Sequence, residues 1–471
     1  MSQLASNQVI PDGYQQTDVG VIPVDWQCLS IGELRPFVTS GSRGWATFYS
    51  AHGDPFVRIT NMSRESVDLD MTNTKFVLLP EQSSEGKRTS LENGDILISI
   101  TADIGICSYI NEKLAKPAFI NQHIALVRFD KLEVNSQFVA HFLSSENVQK
   151  LFKGSADQGA KAGMNLEAIR KIRTAIPSIE EQTAIANALS DVDALLSELE
   201  KHIAKKQAIK TATMQQLLTG KTRLPAFGYH QESADSEGEL EDTVKGQLKG
   251  TKSSELGGIP EDWEVKLLDE LSIISRLAGA EYTSMWKEDP KGGIIALRGF
   301  NIGKNTLINR DLTRITDSLS KKLKRSKLTK GDVIYPCVGS IGNAAVIYED
   351  NKYHIQQNIA RISPISSKLH PEYLCYYLMS EMALKEVERF TATTSQPSVL
   401  VSSLRKYRIP FPKLKEQTAI AAILSDMDEE LQALSQRLSK TRQIKQGMMQ
   451  ELLTGRTRLP FDKQAVQVGE A

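Results

Sequence analysis

The sequence is poor in the residues that most often carry chemistry. Its four cysteines, Cys28, Cys107, Cys337 and Cys375, stand far apart and form no Cys-x-x-Cys. That argues against a disulfide framework or a cysteine zinc knuckle and fits a reducing, cytoplasmic setting. Seven histidines, His52, His123, His141, His202, His230, His354 and His370, are scattered without metal-ligand spacing. No run approaches the roughly 18 apolar residues a bilayer span requires, so no membrane partner is expected. The first residues, Met-Ser-Gln-Leu-Ala-Ser-Asn-Gln, lack the basic-then-apolar pattern of a signal peptide. Nor is there an excess of charge of either sign: 57 Lys and Arg balance 57 Asp and Glu. A simple electrostatic nucleic-acid binder would show a basic excess. A balanced total can still hide basic patches such as Lys321, Lys322, Lys324, Arg325 and Lys327, or Arg170, Lys171 and Arg173.

Catalytic motifs are also missing. Asn-Pro-Pro-Tyr and Asn-Pro-Pro-Phe, the adenine-methylation signatures, do not occur. Gly220-Lys221-Thr222 resembles part of a phosphate loop, but position 215 is Gln and the segment closes a helix, where a phosphate loop would open one. Glu264-x-Lys266 has no counterpart at Gln27-x-Leu29, and two residues do not make a metal cage. No catalytic, cofactor or metal residue is therefore assigned.

What the sequence does contain is a repeat. Pro177 to Pro225 aligns without a gap on Pro412 to Pro460, with 26 of 49 positions identical. Both end in Leu-Leu-Thr-Gly-x-Thr-Arg-Leu-Pro. Each copy opens on a second match, Gly20 to Trp26 against Gly257 to Trp263, of the form Gly-x-Ile-Pro-x-x-Trp. Between these anchors the copies diverge but keep Arg58 and Asn61 against Arg298 and Asn301, and Gln122 against Gln357. The implied division is a variable domain at 1–176, a fixed helical region at 177–225, a polar linker at 226–256, a second variable domain at 257–411, a second fixed helical region at 412–460 and a tail at 461–471.

In the first fixed region Ser178 and Glu181 fit a capping box, and Gly220 with Pro225 marks the stop. Ile185, Leu189, Val192, Leu196, Leu199 and Ile203 are spaced four, three, four, three, four, the step of a coiled-coil seam. Ile420, Leu424, Met427, Leu431, Leu434 and Leu438 repeat it in the same phase. Lys206 and Thr441 interrupt the seam, and Ile209 and Ile444 resume it out of step. Two such helices of about 40 residues, each roughly 60 Å long, are expected to pack on each other as an antiparallel, pseudo-twofold coiled coil. The variable domains mix short β-rich runs, Asp95 to Ile100 and Ile120 to Phe129, with helical stretches, Gln137 to Phe152 and Glu372 to Phe390. The fold expected is α/β (α+β): two α/β domains separated by two long helices.

The Gly-x-Ile-Pro-x-x-Trp openings, the Pro-x-x-x-Glu-Gln-x-x-Ile-x-x-x-Leu-x-x-x-Asp helix starts and the Leu-Leu-Thr-Gly closures resemble the specificity subunit of Type I restriction–modification enzymes over about residues 14–225 and 252–460. The resemblance implies two target-recognition domains reading the halves of a bipartite, asymmetric sequence in duplex DNA. It implies helices that scaffold two modification subunits, which use S-adenosylmethionine to methylate adenine. Two restriction subunits, using ATP and Mg2+, can join. This chain would supply specificity and assembly only, and its zero net charge suggests that the partners supply much of the positive clamp around DNA. A coiled-coil adaptor that reads no DNA is the alternative, to be revived if the complex protects no footprint. A self-contained restriction and methylation enzyme is disfavoured by the missing methylation motif.

Base readout uses Arg or Lys for guanine and Asn or Gln for adenine, with phosphate contacts fixing register. The candidates in the first variable domain are Arg43 in the Ser40 to Trp45 loop, then Arg58, Asn61 and Arg64, then Gln122 and His123, then Gln158, Lys161 and Asn165. In the second they are Arg276, then Arg298, Asn301 and Lys304, then Gln357 and Asn358, then Ser395, Gln396 and Ser398. Residues shared by both copies leave three roles open: fold support, phosphate contact or base contact. Unshared ones, such as Arg43 and His123, are the better base readers.

Overall fold

A computed structural model describes residues 10–80, 84–130, 133–156, 163–229, 248–390 and 398–460. The chain forms two compact units, one of residues 1–201 and 436–471, the other of residues 202–435. The two long helices, Ile179–Leu218 and Leu414–Leu452, each contribute part of their length to both units. Each unit thus holds one variable domain (head 1 or head 2) with segments of both helices.

Head 1 carries an antiparallel sheet ordered Phe37–Ser40, Ile124–Arg128, Ile96–Ser99 and Cys107–Tyr109. A second, mixed sheet is ordered Phe119–Ile120, Asp54–Val57, Lys75–Val77 and Tyr49–Ser50. Head 2 repeats the plan with Ser272–Ser275, Ile359–Pro364, Val333–Pro336 and Ala345–Val346 in one sheet, and Thr313–Ile315, Ile294–Leu297 and Tyr353–Ile355 in the other. Ile96, Ile98, Ala125 and Val127 alternate towards one core, while Leu97, Ile124 and Leu126 face another; each side of the central sheet is therefore buried. The helical stretches are each broken in two, as Ser136–Ser144 and Glu146–Ala156, and as Pro371–Leu378 and Glu381–Phe390. Short antiparallel pairs, Gln27–Ser30 with Arg173–Ile176 and Glu264–Leu267 with Arg408–Phe411, tie the start of each head to its end. Thr251–Ser254, placed by sequence in the linker, is a strand paired with Gly257–Pro260; residues 230–247 and 461–471 lie outside the described residues.

Within each unit the helix segments run antiparallel, because their ion pairs descend along one helix as they climb the other. In the first unit Asp193 meets Lys445 at 2.6 Å and Glu200 meets Arg442 at 2.7 Å. In the second Lys206 meets Glu430 at 2.7 Å and Lys210 pairs with Asp428. Ile185, Leu189, Leu196, Leu199, Ile420, Leu424 and Leu431 are buried, and Val192, Ile203, Met427, Leu434 and Leu438 half-buried. One expectation fails. Ile209 and Ile444 do not resume the seam, being 41% and 49% exposed. The stripe continues in step through Lys210 and Lys445, only 6% and 7% exposed. Their aliphatic stems fill the seam while each ammonium meets a carboxylate across it.

The repeated motifs meet at one clamp in each unit. In the first, the indole Nε1 of buried Trp26 donates to Glu181 Oε2 at 3.2 Å. Arg458 reaches the same carboxylate (2.7 Å) and Asp25 (2.9 Å), with its guanidinium over the Trp26 ring. In the second, Trp263 donates to Glu416 at 3.0 Å, and Arg223 bridges Glu416 and Asp262. The opening and the Glu-Gln pair come from one copy of the repeat, while the closing Thr-Arg-Leu-Pro comes from the other. This corrects the capping-box reading. Ser178 does accept from the Glu181 amide, but the Glu181 carboxylate is spent on Trp26 and Arg458. Gln182 and Gln417 fix the helix starts to the heads by donating to Pro177 O and Pro412 O and accepting from the amides of Asn135 and His370.

Gly220 and Gly455 sit at φ +69° and +67°, the left-handed region that closes helices. A Cβ on Gly455 would lie 2.5 Å from the Pro23 ring, and one on Gly220 2.4 Å from that of Pro260. Gly455→Ala is therefore expected to cost roughly 3 kcal/mol, from left-handed strain plus overlap. Denaturant unfolding of the full chain measures it, and a loss below about 1 kcal/mol would show that the clamp yields to a methyl group.

Candidate nucleic-acid interface

The registers of head 1 bring its candidate readers to one edge. Strand Phe37–Ser40 ends opposite Ala125, and Ile96–Ser99 ends opposite Ile124. Asp54–Val57 runs parallel to Phe119–Ile120, with Val57 beside Ile120. The loop from Gly41, the turn after Ser99, the residues after Val57 and the bend 121–123 therefore emerge together. The approach is close: a Cβ on Gly41 would lie 2.2 Å from the Asn121 backbone, so only glycine lets the Arg43 loop pass the bend. Ser40, Arg43, Thr101, Gln122 and His123 line an open recess of about 510 Å³ there.

Head 2 repeats the edge, with Asn358 and Val338 where head 1 has His123 and Thr101. Ser272–Ser275 ends opposite Arg361, Val333–Pro336 ends opposite Ile359, and Leu297 lies beside Ile355. Arg276, Gln357 and Asn358 are exposed there, and none has a side-chain hydrogen bond among the described residues. In both heads a returning segment closes the site, Gly163 bridging to Thr101 and Ser398 to Val338.

The family description "Type I restriction modification DNA specificity domain" matches residues 23–211 and 260–443, well over half the chain. The chain belongs to this Type I specificity family. It is 28% identical over 295 residues to the Type I restriction enzyme MjaVIII specificity subunit of Methanocaldococcus jannaschii, a match covering 61% of this chain and 63% of that relative, less than two thirds of its length. It is 23% identical to the putative MjaX specificity subunit of the same organism, over 95% of this chain and 97% of the relative. The solved S subunit of the Type I restriction–modification system from M. genitalium shares the fold, with a TM-score of 0.55 at 14% identity, covering 91% of this chain and 96% of that one.

The candidate residues of this Type I specificity family member differ in what their side chains already bind. Asn61 and Asn301 are buried, and their amides serve backbone groups. Asn61 accepts from Arg58 N and donates to Asp70 O, while Asn301 accepts from Arg298 N and donates to Ile308 O and Arg310 O. That is the fold-support role. Arg64 is engaged by Asp103, Gln149 and Ile104 O, and Asn165 caps the helix Leu166–Arg170. Arg58 donates to Asn73 O, whereas Arg298 and Gln356 share Glu288. Lys304 is exposed beside the bridge to Ala344. Gln158, Lys161, Ser395 and Gln396 lie outside the described residues. Arg43, Gln122 and His123 are brought together at the recess.

Sequence reasoning missed Arg88 and Thr101. Arg88, in the helix Ser84–Thr89, donates to Thr39 Oγ1 at 3.0 Å, Ser40 O at 2.6 Å and the Ser42 hydroxyl, and so shapes the Arg43 loop. Thr101 bonds to His123. Arg88 sits in a repeated run, Lys87-Arg88-x-x-Leu91-x-x-Gly94-Asp95 against Lys324-Arg325-x-x-Leu328-x-x-Gly331-Asp332, a signal that could have found it; Thr101 stands opposite Val338, so only the folded registers reveal it. Among the described residues no cluster of three or more His, Cys, Asp or Glu could hold a metal ion, and no helix is long and apolar enough to cross a membrane.

Proposed function

We propose that this chain is the DNA-reading subunit of a Type I restriction–modification enzyme and performs no catalytic step itself. Head 1 reads one half of a bipartite, asymmetric target and head 2 the other. The helices dock two modification subunits that use S-adenosylmethionine, and restriction subunits that use ATP and Mg2+ can join the assembly.

The observation that carries the reading is a shared frame that differs in part at its edge. The matched strand ends place Gln122 beside His123 and Thr101 in one head and Gln357 beside Asn358 and Val338 in the other, and Arg43 stands three residues beyond its strand where Arg276 stands one beyond. An adaptor has no use for that divergence at matched positions, whereas a reader of two different half-sites requires it.

The test is to map methylated adenines in DNA modified by the complex reconstituted with its modification subunits. Exchanging residues 30–165 for another head is expected to change one half of the motif and leave the other half and the gap unaltered. A change in both halves, or modification without sequence preference, would overturn the assignment of one head to one half-site.

A further inference from the structure

We propose that Gln122 reads an adenine in the half-site of head 1, and that His123 and Thr101 are positioning residues whose hydrogen-bond chain restrains its amide from turning freely. The inference rests on the DNA-reading function above and names one base contact within it.

The amide nitrogen of Gln122 lies 2.9 Å from His123 Nε2, and His123 Nδ1 lies 2.6 Å from Thr101 Oγ1. An amide nitrogen has no lone pair to offer, so it donates. His123 Nε2 must then accept, which puts the imidazole proton on Nδ1, where it is donated to the Thr101 hydroxyl oxygen. The imidazole ring itself is held by its backbone. The His123 amide donates to Asn121 Oδ1 at 3.1 Å, and His123 O accepts from Ile100 N at 2.9 Å, beside Thr101.

The consequence lies in what Gln122 has left. One N–H is consumed by His123, and one N–H and the carbonyl oxygen remain. Adenine offers N7 as acceptor and N6–H as donor in the major groove, the complement of that remainder; guanine offers two acceptors, one of which would face the carbonyl. A freely turning glutamine could exchange its two ends and tolerate the reversed order of donor and acceptor. Gln122 can do so only if the imidazole proton moves to Nε2 and the Thr101 hydroxyl turns to donate to Nδ1, so its amide reverses only when the whole hydrogen-bond chain reverses with it.

Head 2 lacks the device. Asn358 stands where head 1 has His123, Val338 stands where it has Thr101, and Gln357 is exposed with no side-chain hydrogen bond among the described residues. The same glutamine is therefore restrained in one head and free in the other.

The test uses the complex of the full chain with its modification subunits and duplexes of its own modified sequence. Each adenine is replaced in turn by 7-deazaadenine, which lacks the N7 acceptor. One position in one half-site is expected to weaken binding by the wild-type complex about tenfold, within the roughly ten- to hundredfold of a bidentate contact. At that position the Gln122→Ala complex should show no further loss. His123→Ala and Thr101→Val should keep overall affinity but lose about fivefold or more of the preference for A·T over T·A there, while Thr101→Ser retains it. Discrimination in the other half-site should stay unchanged in every variant, which reports that the chain is folded. The assignment is overturned if Gln122→Ala and 7-deazaadenine effects add at every position, or if His123→Ala weakens all sequences alike. A wild-type complex indifferent to every base analogue in both half-sites would instead defeat the reading function itself.

Discussion

Glu416→Ala is expected to destabilise the second unit by about 3–5 kcal/mol, the cost of removing one partner from a buried ion pair. The side chain of Glu416 is 4% exposed and that of Arg223 is 11% exposed. Three donors converge on the carboxylate: Arg223 Nε at 2.6 Å, Arg223 Nη2 at 2.8 Å and Trp263 Nε1 at 3.0 Å. After truncation the indole N–H has no acceptor, and Arg223 keeps only Asp262. Glu416→Gln should cost less, since an amide oxygen can still accept from Trp263 or Arg223. Urea unfolding at neutral pH, with amide exchange read over residues 414–424, measures both. A loss under about 1 kcal/mol for the alanine variant would mean that water replaces the carboxylate in the clamp.

The same clamp makes an acid prediction of defined sign. Burial pushes the Asp262 carboxyl up, but hydrogen bonds from Arg223 and Lys249 outweigh it and hold the group down at about 2. A carboxylate whose folded value lies below its unfolded value stabilises the fold above the unfolded value, near 4. That contribution is lost as pH falls from there through about 2.

How much of this was legible depended on what each signal encodes. The seam was readable because burial enforces its step, and the helix stops because Gly220 and Gly455 must adopt left-handed backbone. The phase past Ile203 was misread because a buried lysine has the same letter as an exposed one. Only the aspartate across the seam, distant in sequence, tells them apart. The clamp was half legible: Trp26, Glu181 and Arg458 all belong to repeated motifs, but nothing in one dimension says that the closing arginine of one copy serves the other copy's tryptophan. At the heads, residue type singled out Arg43, Gln122 and His123, which the fold brings to one recess. It could not separate them from Asn61 and Asn301, which have equally suitable side chains but spend them on the backbone.

Lys445→Met is expected to cost a further 3–5 kcal/mol in the first unit, for a reason that also exposes an asymmetry between the two seams. Lys445 meets buried Asp193 at Oδ1, 2.6 Å away, and Asp193 Oδ2 is buried with no hydrogen-bond partner among the described residues. In the second unit the matching Asp428 Oδ2 accepts from Tyr376 OH at 2.7 Å. His141 takes the place of Tyr376 in head 1, and its Nδ1 is buried without a hydrogen-bond partner among the described residues. Lys445→Met combined with Asp193→Leu should recover most of the loss, because an apolar pair carries no desolvation penalty. A double variant as unstable as the single one would show that the ion pair is needed for more than satisfying its own charge. His141 adds a pH signature. Burial, with the Lys445 charge assisting, pushes it down to about 3. The unfolded chain then takes up the proton first, near 6.5, so stability is complete above that pH and falls towards 3 by up to about 1.4 kcal/mol per pH unit. Asp193 is pushed up by desolvation. It gains its proton first in the folded state, which flattens the acid end of the same window. His141→Tyr should therefore abolish the slope of stability between pH 6.5 and 5. Equal urea midpoint slopes for wild type and variant across that range would show that His141 is not held neutral in the fold.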